Sequence, residues 1–320
     1  MAARGWLRRH LRTLIAVVTL AIFALGAGVA VSWHFSSAVV VPDHSGWPAD
    51  VEVVAMSTHT VTLERTSDTE RPGLYGLEWP GGHAITGAVS RGDADTVTRR
   101  LIRVDGYLIP GMKVGIDWNV YAGDPGDTLG LPFRSVRYRD ELGPTPAWEI
   151  PGRSTTWAIF VHGINSSMQT GLRVARGLHR AGLPTLIISY REDLGAPHGP
   201  DGLHHMGLTE WRDLEAAARY ALAQGARKLV LIGYSMGGSL VAQFMQKSEL
   251  ASRVAALVLD APALDWKAIL EFNSEQMGLP GFLALPVELT IGARIDAAWA
   301  SLDASAHAEA FHLPILLFHG

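Results

Sequence analysis

Polar and apolar positions change texture three times along the chain. Residues 14–33, LIAVVTLAIFALGAGVAVSW, form an apolar run that no Asp, Glu, Lys or Arg interrupts. About 20 such residues rising ~1.5 Å each match a hydrocarbon core of ~30 Å, so the run predicts a membrane-spanning helix over 13–33. It has no polar face along which a core helix of a soluble domain would meet water. From 50 to 127, short runs such as VEVVAM, HTVTLERT, HAITGAVS and TRRLIRVDGYLI are cut by WPGG and AGDPGD, a pattern of strands and turns. From 131 the texture changes again. FRSVRYRDELG and PAWEIPG read as two strands around a turn. TTWAIFVHG, LPTLIISY, RKLVLIGY and RVAALVLDA then read as buried parallel strands. Helical segments over 168–181, 209–224 and 237–247 follow the first three. In the second of these, Trp211, Leu214, Ala218 and Ala221 recur at helical spacing, Thr209 stands where a cap belongs, and Glu210 and Asp213 complement the dipole. Strand and helix in alternation predict an α/β fold, a mostly parallel sheet with helices on both faces. A fifth apolar run, LPILLFHG, closes the sequence.

The resulting division is a basic tail over 1–12, a signal anchor over 13–33, a β-rich region over 34–130 and the strand–helix domain over 131–320. Arg4, Arg8, Arg9 and Arg12 precede the apolar run. Cationic flanks stay cytoplasmic, so a single-pass protein of the cell membrane is expected, with everything after Trp33 exported. A cleaved signal peptide, with a small-residue site at Gly28-Val29-Ala30, is the alternative, although its apolar region would be longer than usual. The 320 residues carry a net charge of −4 and no cysteine. The charge gives no basic face for nucleic acid, and the missing thiols exclude cysteine catalysis, disulfides and cysteine-held zinc.

Candidate chemistry centres on Gly233-Tyr234-Ser235-Met236-Gly237, between an apolar strand and a helix. Gly-x-Ser-x-Gly alone is weak. In this context it predicts a serine on a sharp strand-to-helix turn, hydroxyl projecting above the sheet, with the glycines making room. A plain Gly-rich turn is the structural alternative. Acyl transfer also needs two backbone N–H groups aimed at the developing oxyanion. Met236 supplies one of these by position. Ile164, in the loop after Val161-His162-Gly163, is the candidate for the other. His162 itself ends the strand before the nucleophile and shapes that loop, so it is the weaker candidate for a general base. His198, His204 and His205, with Asp193 and Asp201, cluster in one loop, but no metal-ligand spacing fixes a geometry. A role in the substrate rim or in loop ordering is expected, with no metal and no cofactor. The stretch 266–312 is apolar enough for a lid, with a plain covering helical layer as the alternative.

The strand ending in His162-Gly163, the strand ending in Ser189-Tyr190 with its long loop, and the Ser235 elbow come in an order that resembles the α/β-hydrolase superfamily. SYREDLGAPHGPDGLHHMGLTEWRDLEAAARYA is similar to a segment of bacterial membrane-bound members. The resemblance spans 131–320 and implies an esterase-like serine hydrolase taking a small-molecule or lipid-like acyl substrate, an ester in preference to an amide. It also implies a catalytic aspartate and histidine after a late strand ending in His-Gly. Here the sequence stops at Phe318-His319-Gly320, so the expectation is a chain incomplete before both groups, inactive as it stands, with 315–318 as an uncovered edge. Asp260 or Asp265 would be the substitute acid. An acyltransferase with the same serine and a non-catalytic membrane scaffold are the rival classes.

Overall fold

The computed structural model describes residues 2–319. Met1 and Gly320 lie outside the described residues, as do the side chains of Arg4, Arg8, Arg9 and Arg12 in the basic tail. Helix α1 (Ala2–Val40) contains one segment, Leu14–Val40, long and apolar enough to cross a membrane. It continues past Trp33, where the apolar run ends. Ser36 and Ser37 each donate a hydroxyl hydrogen bond back to the Trp33 carbonyl at 2.9 Å, which keeps polar residues compatible with the last turns.

The β-rich region closes into a barrel of β1 (Val51–Met56), β2 (Thr60–Glu64), β3 (Tyr75–Trp79), β4 (Gly82–Gly92), β5 (Thr96–Asp105) and β6 (Lys113–Asp117), in the order β1-β2-β5-β4-β3-β6. All its pairings are antiparallel. Closure removes the free edges that a small sheet would otherwise expose. Val51, Val53, Val61, Leu63, Leu77, Val114 and Ile116 fill the interior. Strands β3 and β6 have no marked apolar run, and the sequence alone did not single them out.

Arg99 is unusual here, 1% exposed, with its guanidinium donating to the carbonyls of Thr69, Arg71 and Gly73 at 2.7–2.8 Å. A planar fork reaches three carbonyls at once and an ammonium does not. Arg99→Lys is therefore expected to cost about 1–3 kcal/mol by leaving buried acceptors unpaired, read as a lower melting temperature. An unchanged melt would mean that the 69–73 loop does not depend on the fork.

The short helix α2 (Pro125–Leu129) leads into a seven-stranded sheet ordered β13-β12-β11-β9-β10-β8-β7. Its strands are β7 (Arg134–Arg139), β8 (Pro144–Ile150), β9 (Thr156–Val161), β10 (Thr185–Ile188), β11 (Lys228–Tyr234), β12 (Val254–Asp260) and β13 (Ile315–Phe318). β7 and β8 form an antiparallel hairpin, β8 joins β10 antiparallel, and every other pairing is parallel. Successive side chains of a strand point to opposite faces, and in the central strands both faces are buried. Ala158 and Phe160 of β9 pack with Leu172 and Ala175 of α3 (Leu172–Arg180). Trp157, Ile159 and Val161 pack with Leu214 and Ala218 of α4 (Trp211–Ala223) and with Leu240 and Phe244 of α5 (Met236–Lys247). That two-sided burial is why these strands read as continuous apolar runs while the barrel strands alternate. The region is thus an α/β-hydrolase-type fold. β13 lies at the sheet edge, with all four residues exposed.

The segment after β12 forms α6 (Trp266–Gln276), a 3₁₀ turn (Gly281–Ala284) and α7 (Leu285–Arg294). This cap is tied to α5. Trp266 Nε1 donates to Ser239 Oγ at 3.1 Å, and Gln243 Nε2 donates to the Ser301 carbonyl at 2.8 Å.

Candidate active site

Ser235 joins β11 to α5 with φ 52° and ψ −120°, a backbone conformation that a non-glycine residue adopts only where its surroundings enforce it. The Ser235 N–H donates to the Asp260 carbonyl at 3.0 Å, and its carbonyl accepts from Gly238 and Ala263. The turn is thereby held from β12 and from the helix together. Glycine is required around it. A Cβ on Gly233 would lie 2.6 Å from the Gly237 carbonyl oxygen, and one on Gly237 would lie 2.2 Å from that of Val161. A Cβ on Gly163 would lie 2.9 Å from Ser235 Cβ and 3.4 Å from its Oγ. The loop after β9 therefore passes directly beside the hydroxyl.

The next peptide of that loop is Ile164, half-buried, and Met236 opens α5, fully buried. Neither N–H donates to a partner among the described residues. Both flank the serine, one at a helix N-terminus where unpaired N–H groups favour negative charge. The arrangement places a half-buried serine hydroxyl beside two backbone N–H groups that have no hydrogen-bond partner among the described residues.

His162 does not serve the serine. Its ring is fully buried, with Nε2 2.8 Å from Asp193 Oδ2 and Nδ1 2.9 Å from the Gly163 carbonyl. Both ring nitrogens are thus committed to partners other than Ser235. The Tyr190 ring stacks on the imidazole at 4.4 Å, and its hydroxyl donates to the same Gly163 carbonyl at 2.9 Å. Burial, with Asp193 nearby, pushes that phenol well above its ordinary range. This cluster fixes the loop bearing Ile164 from below. Among the described residues no histidine hydrogen-bonds Ser235. His307 and His312 lie in the segment before β13 and His319 follows it. Asp265 accepts the Ala268 N–H as the cap of α6, which gives it a structural task.

The His- and Asp-rich loop behaves as an ordering device. His198 pairs with Glu192, His205 with Asp201 and Asp193 with His162, while His204 Nε2 meets Asn165 Oδ1 at 3.2 Å. These are separate pairs, and no three of them converge on a metal-sized space among the described residues. Glu210, fully buried, accepts from the N–H groups of His205, Gly207 and Thr209. It organises the loop from the N-cap position of α4, and Thr209 does not cap that helix. Asp213 likewise faces Arg191. A buried partner outcompetes the helix terminus for each carboxylate, and periodicity carries no signal of that.

Sequence reasoning also missed Asn165. Its Oδ1 accepts the Asp43 N–H at 3.0 Å, just after α1, and its own φ is 50°. His204 N–H donates to the Val40 carbonyl at 2.8 Å, and His44 Nε2 lies 2.9 Å from the Glu192 carbonyl. The segment leaving the apolar helix is thus bound to the loop that carries Ile164. An Asn directly after a strand-end loop was the one available hint.

Residues 154–286 match the family described as "Serine aminopeptidase, S33", and residues 52–117, nearly the whole barrel, match "Domain of unknown function (DUF8805)". No curated protein matches the chain. Similar solved structures include an esterase from Pyrococcus furiosus (19% identity, 62% of this chain and 73% of that one, TM-score 0.48). An alpha-beta hydrolase from Vibrio vulnificus is 19% identical over 58% of this chain and 62% of that one, with a TM-score of 0.45. An esterase from Pyrobaculum calidifontis is 18% identical over 59% and 67%, with a TM-score of 0.42.

Proposed function

We propose that the chain is a membrane-anchored serine hydrolase of the α/β-hydrolase superfamily, one that cleaves an ester, in preference to an amide, through an acyl-enzyme on Ser235. The observation that carries this reading is the enforced backbone at Ser235, packed against glycines that admit no Cβ. Strain of this kind is kept where it aims a reacting group. In the proposed step Ser235 Oγ attacks the acyl carbon, and the N–H groups of Met236 and Ile164 receive the oxyanion. The leaving alcohol departs with a proton, and water then releases the acid and restores the serine.

The hydroxyl must lose its proton during attack, and His162 is committed elsewhere. The 320 residues assayed alone should therefore turn over aryl esters slowly, about 10⁶-fold below a complete triad. Added imidazole supplies a base and should raise the rate. The decisive experiment incubates the full chain with an aryl phosphonate plus imidazole and locates the adduct by mass spectrometry. A single adduct on Ser235, lost in Ser235→Ala, is expected. Equal labelling of the Ser235→Ala chain, or no adduct with imidazole present, would sink the nucleophile assignment.

We read α1 as the anchor, with 1–12 cytoplasmic and the hydrolase domain outside the cell membrane. Protease added to spheroplasts should release peptides containing Ser235 and spare the N-terminal tail. Protection of the whole hydrolase domain would reverse the orientation.

A further inference from the structure

The cap carries an apolar outer face that the proposed chemistry leaves unused. Phe272, Met277, Phe282, Leu285 and Leu289 are 52–72% exposed. They lie on α6, α7 and the turn between them, which pack together in sequence. Single exposed apolar residues are ordinary, but five large ones on one helix–turn–helix unit mark an interaction surface.

The anchor tells what covers it. α7 packs on α1, and the contact is specific. The Arg294 guanidinium sits 4.3 Å over the Trp33 ring, and its Nη1 donates to Ser36 Oγ and Ser37 Oγ at 2.8 Å each. Trp33 ends the apolar run, and the two serines begin the polar turns. Tryptophan and arginine at such a boundary belong to the water–lipid interface. Arg294 therefore fixes the C-terminal end of α7 at the depth where α1 leaves the bilayer. At ~1.5 Å per residue, Leu289 and Leu285 lie within about 14 Å of that point along the helix. An open groove of about 740 Å³ between the two helices, lined by Trp33, Leu203, Leu289 and Arg294, continues the same surface.

We infer that the outer face of the cap is a lipid-docking surface, held by Arg294 against the anchor so that Phe282, Leu285 and Leu289 rest in the headgroup–acyl boundary of the bilayer that α1 enters. The inference rests on the reading of α1 as a spanning helix and is independent of the chemistry of Ser235. An amphipathic face of this kind binds in proportion to its buried apolar area. The bilayer wraps the anchor at this depth in any case, so no separate encounter is needed.

The chain has no cysteine, so single-cysteine variants take one label each. The full chain is reconstituted into phosphatidylcholine–phosphatidylglycerol vesicles with a polarity-sensitive fluorophore at Val18→Cys, Phe282→Cys, Leu289→Cys or Arg180→Cys. Arg180 is an exposed control at the end of α3, beside the strand ends opposite the anchor contact. Lipids carrying a nitroxide high or low on the acyl chain then report depth. Val18 should be quenched most by the deep nitroxide, and Phe282 and Leu289 by the shallow one with blue-shifted emission. Arg180 should be unaffected. Matching melts for all four variants check the fold. Wet, unquenched labels at Phe282 and Leu289 with a deep Val18 overturn the inference and leave the anchor standing. Blue-shifted but unquenched labels there mean that another copy of the chain covers the face, and overturn it as well. A wet Val18 removes the anchor and the inference together, without touching the Ser235 assignment.

Discussion

Asp213→Ala should lower the unfolding free energy of the full chain by about 3–5 kcal/mol. Arg191 donates to Asp213 three times, from its backbone N–H at 2.8 Å, from Nε at 2.9 Å and from Nη2 at 2.7 Å. The Arg191 side chain is 4% exposed and that of Asp213 is 0% exposed. Removing the carboxylate leaves a guanidinium and a backbone N–H without a buried partner, because Glu141 reaches only the outer nitrogen at 3.0 Å. Burial pushes the Asp213 carboxyl up to about 6 although Arg191 pulls it down, whereas the carboxylates around Arg191 raise its own affinity for a proton despite burial. Taking two charges out of water offsets most of their mutual attraction. On that basis the pair as a unit repays little more than its desolvation. Arg191→Met combined with Asp213→Leu should then recover most of the loss seen in Asp213→Ala. Denaturant unfolding of the parent, Asp213→Ala and the double variant measures all three. A double variant as unstable as the single one would show that the pair itself, and not an orphaned charge, holds the loop.

The residues of that loop mark the limit of what the sequence disclosed. Ser235 and its turn were legible because one local requirement, a sharp strand-to-helix turn, imposes glycines at fixed offsets within five residues. The strands of the large sheet were legible because burial on both faces leaves continuous apolar runs. The barrel was only half legible. Gly76 in β3 and Gly115 in β6 break the alternation, and both sit where a Cβ would meet another side chain or the chain before β1, at 2.6–2.9 Å. Thr209 does not cap α4, whereas Glu210 and Asp213 do stand at its start, where they were expected to complement its dipole, but they are hydrogen-bonded elsewhere. A carboxylate near a helix start looks the same in sequence whether it faces the helix or a partner brought by the fold. Glu210 and Asp213 have such partners in the loop and in Arg191, far stronger in a buried setting than a terminal dipole. The docking of α1 on Arg294 and of the segment after it on Asn165 was wholly hidden, since each contact joins residues more than a hundred positions apart.

The elbow yields the other large effect. Gly237→Ala should destabilise the chain by more than the usual ~1–3 kcal/mol of an overpacked core and should sharply reduce adduct formation at Ser235. The new Cβ would stand 2.2 Å from the Val161 carbonyl oxygen and 2.7 Å from that of His162. Both are backbone atoms at the end of β9, which pairs with β10 on one side and β11 on the other. Neither can retreat as a flexible side chain does, so α5 must move outward. Ser235 and the Met236 N–H sit at the start of α5 and move with it, while the Ile164 N–H stays with β9. In the proposed mechanism the two donors then separate around the reacting oxygen, and a misplacement of ~1 Å can cost about 10²-fold in rate. Gly177→Ala is the matched control. Gly177 lies inside α3 with nothing within 4 Å of its added Cβ, so alanine there should gain about 0.5–1 kcal/mol from helix propensity. Melting temperatures and imidazole-assisted phosphonate labelling of the two variants separate strain from a general effect of replacing glycine. Parent-like melting and labelling of Gly237→Ala would mean that the close approach of α5 to β9 does not set the position of the serine.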